Sequence, residues 1–212
     1  MIIAFSGIDS SGKTTQIDIF EKECKRRKLR VRKIWGKGRG TPGVMLIKGI
    51  VRGDRGMSAE QKKEYRAKVY KNSKKRRLLL TASILDLWWY FGIWYRLLNM
   101  FNNVLICDRY LWDTYIDFQS EFPEFDIDNW RIWKIATFLA PKPKHSFMFY
   151  ISAEESYRRD QQKGDLTLDP IEVKVAKVDK YMKQMNSGKW EVIIDGTRER
   201  ESISMQVKET VF

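Results

Sequence analysis

The chain has 212 residues, 43% of them hydrophobic, with 40 Lys and Arg against 27 Asp and Glu and a formal net charge of +13. This is enough apolar material for one α/β domain with its own core, which excludes a disordered chain and a small disulfide-stapled scaffold. The basic balance favours polyanionic partners (nucleotides, nucleic acid or an acidic membrane surface) without choosing among them.

In chain order, the apolar run Ile2-Ile3-Ala4-Phe5 reads as a buried strand. Gly7-Ile8-Asp9-Ser10-Ser11-Gly12-Lys13-Thr14 follows and fits G-x-x-x-x-G-K-[ST], the phosphate-binding loop pattern. Thr15 begins the helical stretch 15–28, with Ile17, Phe20 and Cys24 at helical spacing. Strand, glycine loop, helix is the context that motif requires. Gly7 and Gly12 permit backbone conformations that a Cβ forbids. The loop amides of Asp9, Ser10 and Ser11 and the helix N-terminus then face phosphates with partial positive charge. Lys13 reaches toward β- and γ-phosphates, and the Thr14 hydroxyl suits Mg²⁺. The expected ligands are therefore ATP and Mg²⁺.

A second strand is expected over 29–35, then a loop at 36–43 in which Lys37 and Arg39 are candidate anion contacts, and a short helix at 44–51. Ser58-Ala59-Glu60-Gln61 is a capping box opening a long helical region that is basic up to Arg77 and apolar over 78–98. That apolar run is long enough to suggest a membrane span, but Asp86 near its middle argues for a helix buried in a domain. Contact with a membrane surface is the alternative.

Val104-Leu105-Ile106-Cys107-Asp108 is a third strand ending in a carboxylate, followed at once by Arg109-Tyr110. Helices are expected over 111–119 and 127–139, and a fourth strand over 147–151. Ser152 caps a helix bearing Arg158, Arg159 and Lys163, which breaks at Gly164-Asp165. Pro170 opens a helix to about Met185, Val192–Asp195 is a fifth strand, and Gly196-Thr197 leads into a last helix. Strands alternating with helices predict an α/β fold: a five-stranded parallel sheet with helices on both faces, as one domain over 1–212. Cys24 and Cys107 have no metal-like spacing and fit a reducing compartment, His145 reads as a loop residue, and with the N-terminus read as the first strand no signal peptide is expected. A cytoplasmic protein is the expectation.

Three features together resemble the thymidylate kinase family of nucleoside monophosphate kinases. They are Phe5-Ser6-Gly7-Ile8-Asp9 leading into Ser11-Gly12-Lys13-Thr14-Thr15-Gln16, Asp108-Arg109-Tyr110 closing the third strand, and Glu154-Glu155-Ser156-Tyr157-Arg158-Arg159 after the fourth. The resemblance implies a P-loop NTPase fold, a mobile lid at about 158–169, an acceptor-side helical region at about 44–98, and a homodimer. It implies that Asp9 touches the acceptor sugar, that Arg109 holds the acceptor phosphate, and that Asp108 lies near Mg²⁺. Gly196 and Thr197 join the loop residues in the expected nucleotide-binding set. Some members carry a catalytic arginine within the phosphate loop; this loop offers Ser10 and Ser11 there, so Arg158, Arg159 and Lys163 become the candidates.

The chain also departs from the family. Lys37 and Gly38 stand where Glu and Pro are usual, Asp113 falls near the place of a common serine, and no arginine occurs between Leu78 and Phe91, where the family contacts thymine. The expected acceptor is a small nucleotide-like phosphate, with thymidylate itself a poor one. A phosphate acceptor needs no general base, and Lys37 and Arg39 after the second strand favour an anion. A non-nucleotide or hydroxyl acceptor stays open. So does a membrane-surface protein built on the basic 62–77 and the Trp-rich run that follows it. A nucleic-acid-dependent ATPase is disfavoured, because the chain is short for a second ATPase lobe.

Overall fold

The computed structural model describes residues 1–36, 72–163 and 169–212. The expected loop over 37–43, the helix at 44–51, the capping box at 58–61, the basic stretch up to 71 and the break at Gly164-Asp165 lie outside the described residues. The described chain forms two compact units. One comprises 1–36, 98–120 and 142–212; the other comprises 72–97 and 121–141.

The first unit holds the sheet. β1 (Ile2–Gly7), β2 (Val31–Trp35), β3 (Val104–Asp108), β4 (His145–Tyr150) and β5 (Val192–Asp195) lie in the order β2-β3-β1-β4-β5, every pairing parallel. This is the α/β, five-stranded parallel sheet expected from the alternation of apolar runs and helices. β1 sits in the middle and is buried along its whole length, which is why it reads IIAFSG without polar alternation. β2 is an edge strand with no fully buried residue: Arg32, Lys33 and Trp35 are exposed, and Val31 and Ile34 are half-buried.

α1 (Lys13–Arg26) and α8 (Arg200–Val211) pack together, and Ile17, Phe20 and Cys24 meet Ile203 and Val207 over Ile3, Phe5, Val104, Ile106, Phe147, Phe149 and Ile194. These side chains are 0–4% exposed, so each large one contributes about 1.5–3 kcal/mol of burial. His145, read as a loop residue, is the first residue of β4, its Nδ1 3.1 Å from Glu191. α1 starts at Lys13, two residues earlier than expected.

The second unit is helical. α2 (Ser73–Trp89), a π-helical turn at Tyr90–Trp94 and α3 (Tyr95–Phe101) form one continuous helix. Asn72 caps it by accepting the Lys75 amide at 3.1 Å. The expected helix at 127–139 divides in two: a 3-10 turn at Ile127–Asn129, an extended Trp130, then α5 (Arg131–Leu139). α2 packs on α5, and the Trp88 indole donates to the Ile132 carbonyl at 2.9 Å. Leu79, Leu80, Ala82, Ile84, Asp86 and Phe91 are buried, as a domain helix requires. The opposite stripe, Leu85, Trp89, Ile93 and Leu97 at four-residue spacing, is exposed. The helix is long and apolar enough to span a bilayer, but one face is committed to protein contacts.

Candidate functional site

The strand order reverses direction at β1, whose neighbours β3 and β4 lead to opposite edges. In open parallel sheets the crevice beyond the carboxyl ends at such a point is where ligands bind. The segments that leave β1, β3, β4 and β5 all open there: the glycine-rich turn, Asp108-Arg109, the helix after β4, and Gly196.

The turn from β1 to α1 is held by its backbone. Gly7 has φ of 128°, and a Cβ there would fall on the Phe149 carbonyl of β4. The Ile8 amide donates to that same carbonyl at 3.1 Å. Ser10 lies at φ 60° and Gly12 at φ 91°, both left-handed. Gly12 opens α1 with no side chain capping it, so the first amides of the helix remain donors for a ligand.

Lys13 is buried, and its Nζ donates to the Gly7 carbonyl at 2.9 Å, to the Ile8 carbonyl, and toward Ser11 Oγ at 3.4 Å. Burial, followed by the nearby Arg109 charge, pulls its pKa down to about 7. Burial likewise raises the Asp108 carboxyl, against the pull of Lys13 and Arg109.

Arg109 is a non-glycine residue at φ 71° with a buried guanidinium. It donates to the Gly7 carbonyl at 3.3 Å and the Tyr181 hydroxyl at 3.2 Å, and it pairs with Asp9. Burial works against its charge, but Tyr181, Asp113 and Asp9 outweigh it and hold the guanidinium firmly protonated. Asp113 is the hub of this cluster. It accepts from Ser6 Oγ at 2.6 Å, the Gly7 amide at 3.0 Å, the Tyr110 amide at 2.8 Å and the Tyr181 hydroxyl at 2.7 Å. Lys177 bridges Asp9 at 3.2 Å and Asp117 at 3.1 Å. Asp113 and Asp117 lie on α4 (Leu111–Glu121), Lys177 and Tyr181 on α7 (Ile171–Met185).

These groups border a cavity of about 360 Å³ lined by Asp9, Ser10, Gly12, Lys13, Thr14, Thr15, Trp35, Asp108, Arg109, Asp160, Lys163, Asp169 and Lys174. Of the residues singled out from sequence, Asp9, Ser10, Gly12, Lys13, Thr14, Thr15, Asp108 and Arg109 thus line one space. Gly7 and Ser11 shape the turn behind it. Gly196 packs close: a Cβ on it would lie 2.5 Å from the Ser11 carbonyl oxygen. Thr197 is turned to its own strand end, its amide and hydroxyl on Asp195 at 2.9 and 2.7 Å.

On α6 (Ala153–Gln162), Arg159 donates to the carbonyls of Ser10 at 3.3 Å and Gly196 at 3.0 Å, so it ties the turn to the end of β5. Arg158 is more than half exposed and forks onto Glu155 with two 2.7 Å bonds; it is not among the lining residues. Asp113, Asp117, Asp160, Asp169, Lys174, Lys177, Tyr181 and Trp35 carried no signal as site residues in the sequence. Apart from Asp169, which precedes α7, the acids and lysines sit on ordinary amphipathic helices, and only the packing of α4, α6 and α7 brings them to the cavity or to the cluster around Arg109. An acid three residues after the strand-end Arg109-Tyr110 pair is the one hint that was available, at Asp113.

Among the described residues no group of three or more His, Cys, Asp or Glu side chains is arranged to cage a metal ion. Magnesium does not demand one, since it keeps several waters and takes one or two protein oxygens plus phosphate oxygens. The Thr14 hydroxyl and the Asp108 carboxylate on the cavity wall are a donor set of that kind. Four cations, Lys13, Arg109, Lys163 and Lys174, share the wall with four carboxylates, Asp9, Asp108, Asp160 and Asp169, and the uncapped helix amides add donors that an anion can use. No family model matches the chain, and the search of curated proteins returned no match.

Proposed function

We propose that the chain is an ATP- and Mg²⁺-dependent phosphotransferase with a P-loop NTPase fold, acting on a nucleoside monophosphate-like acceptor and akin to the thymidylate kinases. One observation carries the reading. The G-x-x-x-x-G-K-T turn sits between the central strand and its helix, and Lys13, Thr14, Asp108 and Arg109 all border one cavity at the carboxyl end of the sheet.

In this reading the turn amides and the α1 N-terminus bind the phosphates of the donor. Lys13 leaves its backbone carbonyls for the β- and γ-phosphates. The Thr14 hydroxyl and the Asp108 carboxylate would hold Mg²⁺, which would neutralise charge on the donor phosphates. Arg109, oriented by Asp9, Tyr181 and Asp113, presents its planar fork to the acceptor phosphate. An acceptor phosphate oxygen forms a bond to the γ-phosphorus. The bond from that phosphorus to the β–γ bridging oxygen breaks, and its electron pair stays on the departing ADP. Donor and acceptor enter with about four and two negative charges and leave with about three each, so no proton need move. The work is positioning and charge neutralisation, which the cluster of cations supports.

The test is a panel of phosphorylated and unphosphorylated acceptors with ATP and Mg²⁺, scored for ADP release and for the phosphorylated product. A nucleoside monophosphate is expected to give the fastest release. Equal, slow release with every acceptor and with none would overturn the reading.

A further inference from the structure

In the phosphotransferase reading, and because the glycine-rich turn has no arginine, the family resemblance calls for a cation from the segment after β4. Sequence offered Arg158, Arg159 and Lys163. Arg158 is turned outward onto Glu155, and Arg159 is committed to Glu155 and two backbone carbonyls. Lys163 is exposed and donates to Ser10 Oγ at 2.7 Å.

Lys174, in the first turn of α7, differs from all three. It is 7% exposed and, like Lys13, lines the cavity. Its ammonium pairs with Asp160 and donates to Ser156 Oγ at 3.3 Å. Asp160 in turn accepts from Ser10 Oγ, within the glycine-rich turn, and Ser156 Oγ donates to the Asp9 carbonyl at 2.9 Å. An ammonium has three donors and no acceptor, and two of the three are used among the described residues. Burying an ammonium is costly, and one carboxylate beside it offsets only part of that cost. A lysine held in this way at the wall of a polyanion cavity is prepared for a second anionic partner.

We propose that Lys174 is a catalytic cation, its third donor contacting the phosphoryl group in transfer while Asp160 and Ser156 fix it to the glycine-rich turn. The proposal rests on the phosphotransferase reading above. It assigns to a lysine on α7 the role that sequence gave to an arginine on α6. A cation held against the turn follows the phosphates without a large motion of the helix, and it is worth most where water is excluded.

The experiment compares full-length wild type, Lys13→Met, Lys174→Gln and the double variant Asp160→Asn/Lys174→Gln with ATP, Mg²⁺ and the best acceptor of the panel. The double variant removes both ions together, so no unpaired charge is left buried if the single variant folds poorly. Turnover is measured below each melting temperature, and affinity is measured for ADP and for ADP with aluminium fluoride, which imitates the transferred group. Lys174→Gln and the double variant are expected to lose about 100-fold in kcat with KM for ATP changed less than about threefold. They are expected to bind ADP normally and to lose the extra affinity for the fluoride complex.

If wild type transfers phosphate and Lys13→Met does not, but both Lys174 variants keep kcat and fluoride-complex affinity, Lys174 is only a structural tie and the inference falls alone. A lowered melting temperature with normal kcat would mean the same. If wild type transfers phosphate to nothing, the phosphotransferase reading itself falls and takes this inference with it.

Discussion

Asp113 accepts four hydrogen bonds while 1% exposed, and it joins β1, the Arg109 turn and α7 at one point. Asp113→Ala would leave two amides and two hydroxyls without their acceptor and would take from Arg109 one of the carboxylates beside it, leaving Asp9. Breaking such a buried cluster costs about 3–5 kcal/mol, and urea denaturation should show that loss. Lys13 makes a second prediction. Its charge is aimed at the transferred group in the proposed mechanism, so Lys13→Met should lower kcat by about 100- to 1,000-fold with an intact far-UV spectrum. Its titration gives a third. The folded-state pKa is about 7, against about 10.4 in an unfolded chain, so between these values the unfolded state binds more protons. Stability should therefore rise with pH across that window. Without ligand, wild type should gain melting temperature relative to Lys13→Met between pH 7 and 10; a flat difference would contradict the depressed pKa.

At the scale of elements, the site depends on how closely separate segments approach. Gly196, just past β5, lets the backbone pass Ser11 so tightly that a Cβ would lie 2.5 Å from the Ser11 carbonyl oxygen and 3.0 Å from Ile151 Cγ2. Gly196→Ala must push the glycine-rich turn away from Arg159, which joins the two. A displacement near 1 Å can cost about 100-fold in rate, so kcat/KM should fall about 10- to 100-fold while thermal stability changes much less. Sequence reading recognised the elements themselves well. The strand ends at Gly7, Asp108 and Asp195 are marked by glycine or by a carboxylate after an apolar run, and the α7 start is marked by Pro170. The interruption at Trp130 was not legible, because its apolar spacing continues through the extended residue. The π turn at Tyr90–Trp94 inserts one residue into a helix whose apolar composition hides any shift of phase.

For the whole molecule, the acceptor is the open term in the proposed function. The family resemblance places a thymine-contacting arginine in the segment 78–91, and none is present. A site designed around a base hydrogen bond discriminates by orders of magnitude, so its loss should remove that preference. Thymidylate should therefore give kcat/KM at least about tenfold below the best acceptor of the panel. Efficient thymidylate phosphorylation would show that other residues read the base. Of the three aromatics at 88–90, Trp88 is anchored to the Ile132 carbonyl and Trp89 is exposed, so neither is simply core.

The sequence by itself determined the α/β class, the parallel sheet, and the central place of the glycine-rich turn with Lys13, Thr14, Asp108 and Arg109. These follow from local rules: apolar runs make buried strands, glycines permit left-handed turns, and a strand-end acid lies at the sheet's carboxyl edge. Tertiary structure alone decided that Asp113 anchors Arg109, that Arg159 ties the turn to Gly196, and that Lys174 reaches the cavity from α7. The contacts behind these join residues on different segments, from 4 to 149 positions apart in the chain. A lysine on a helix carries the same local pattern whether it faces water or a polyanion cavity; which it faces is set by how the helices dock on the sheet.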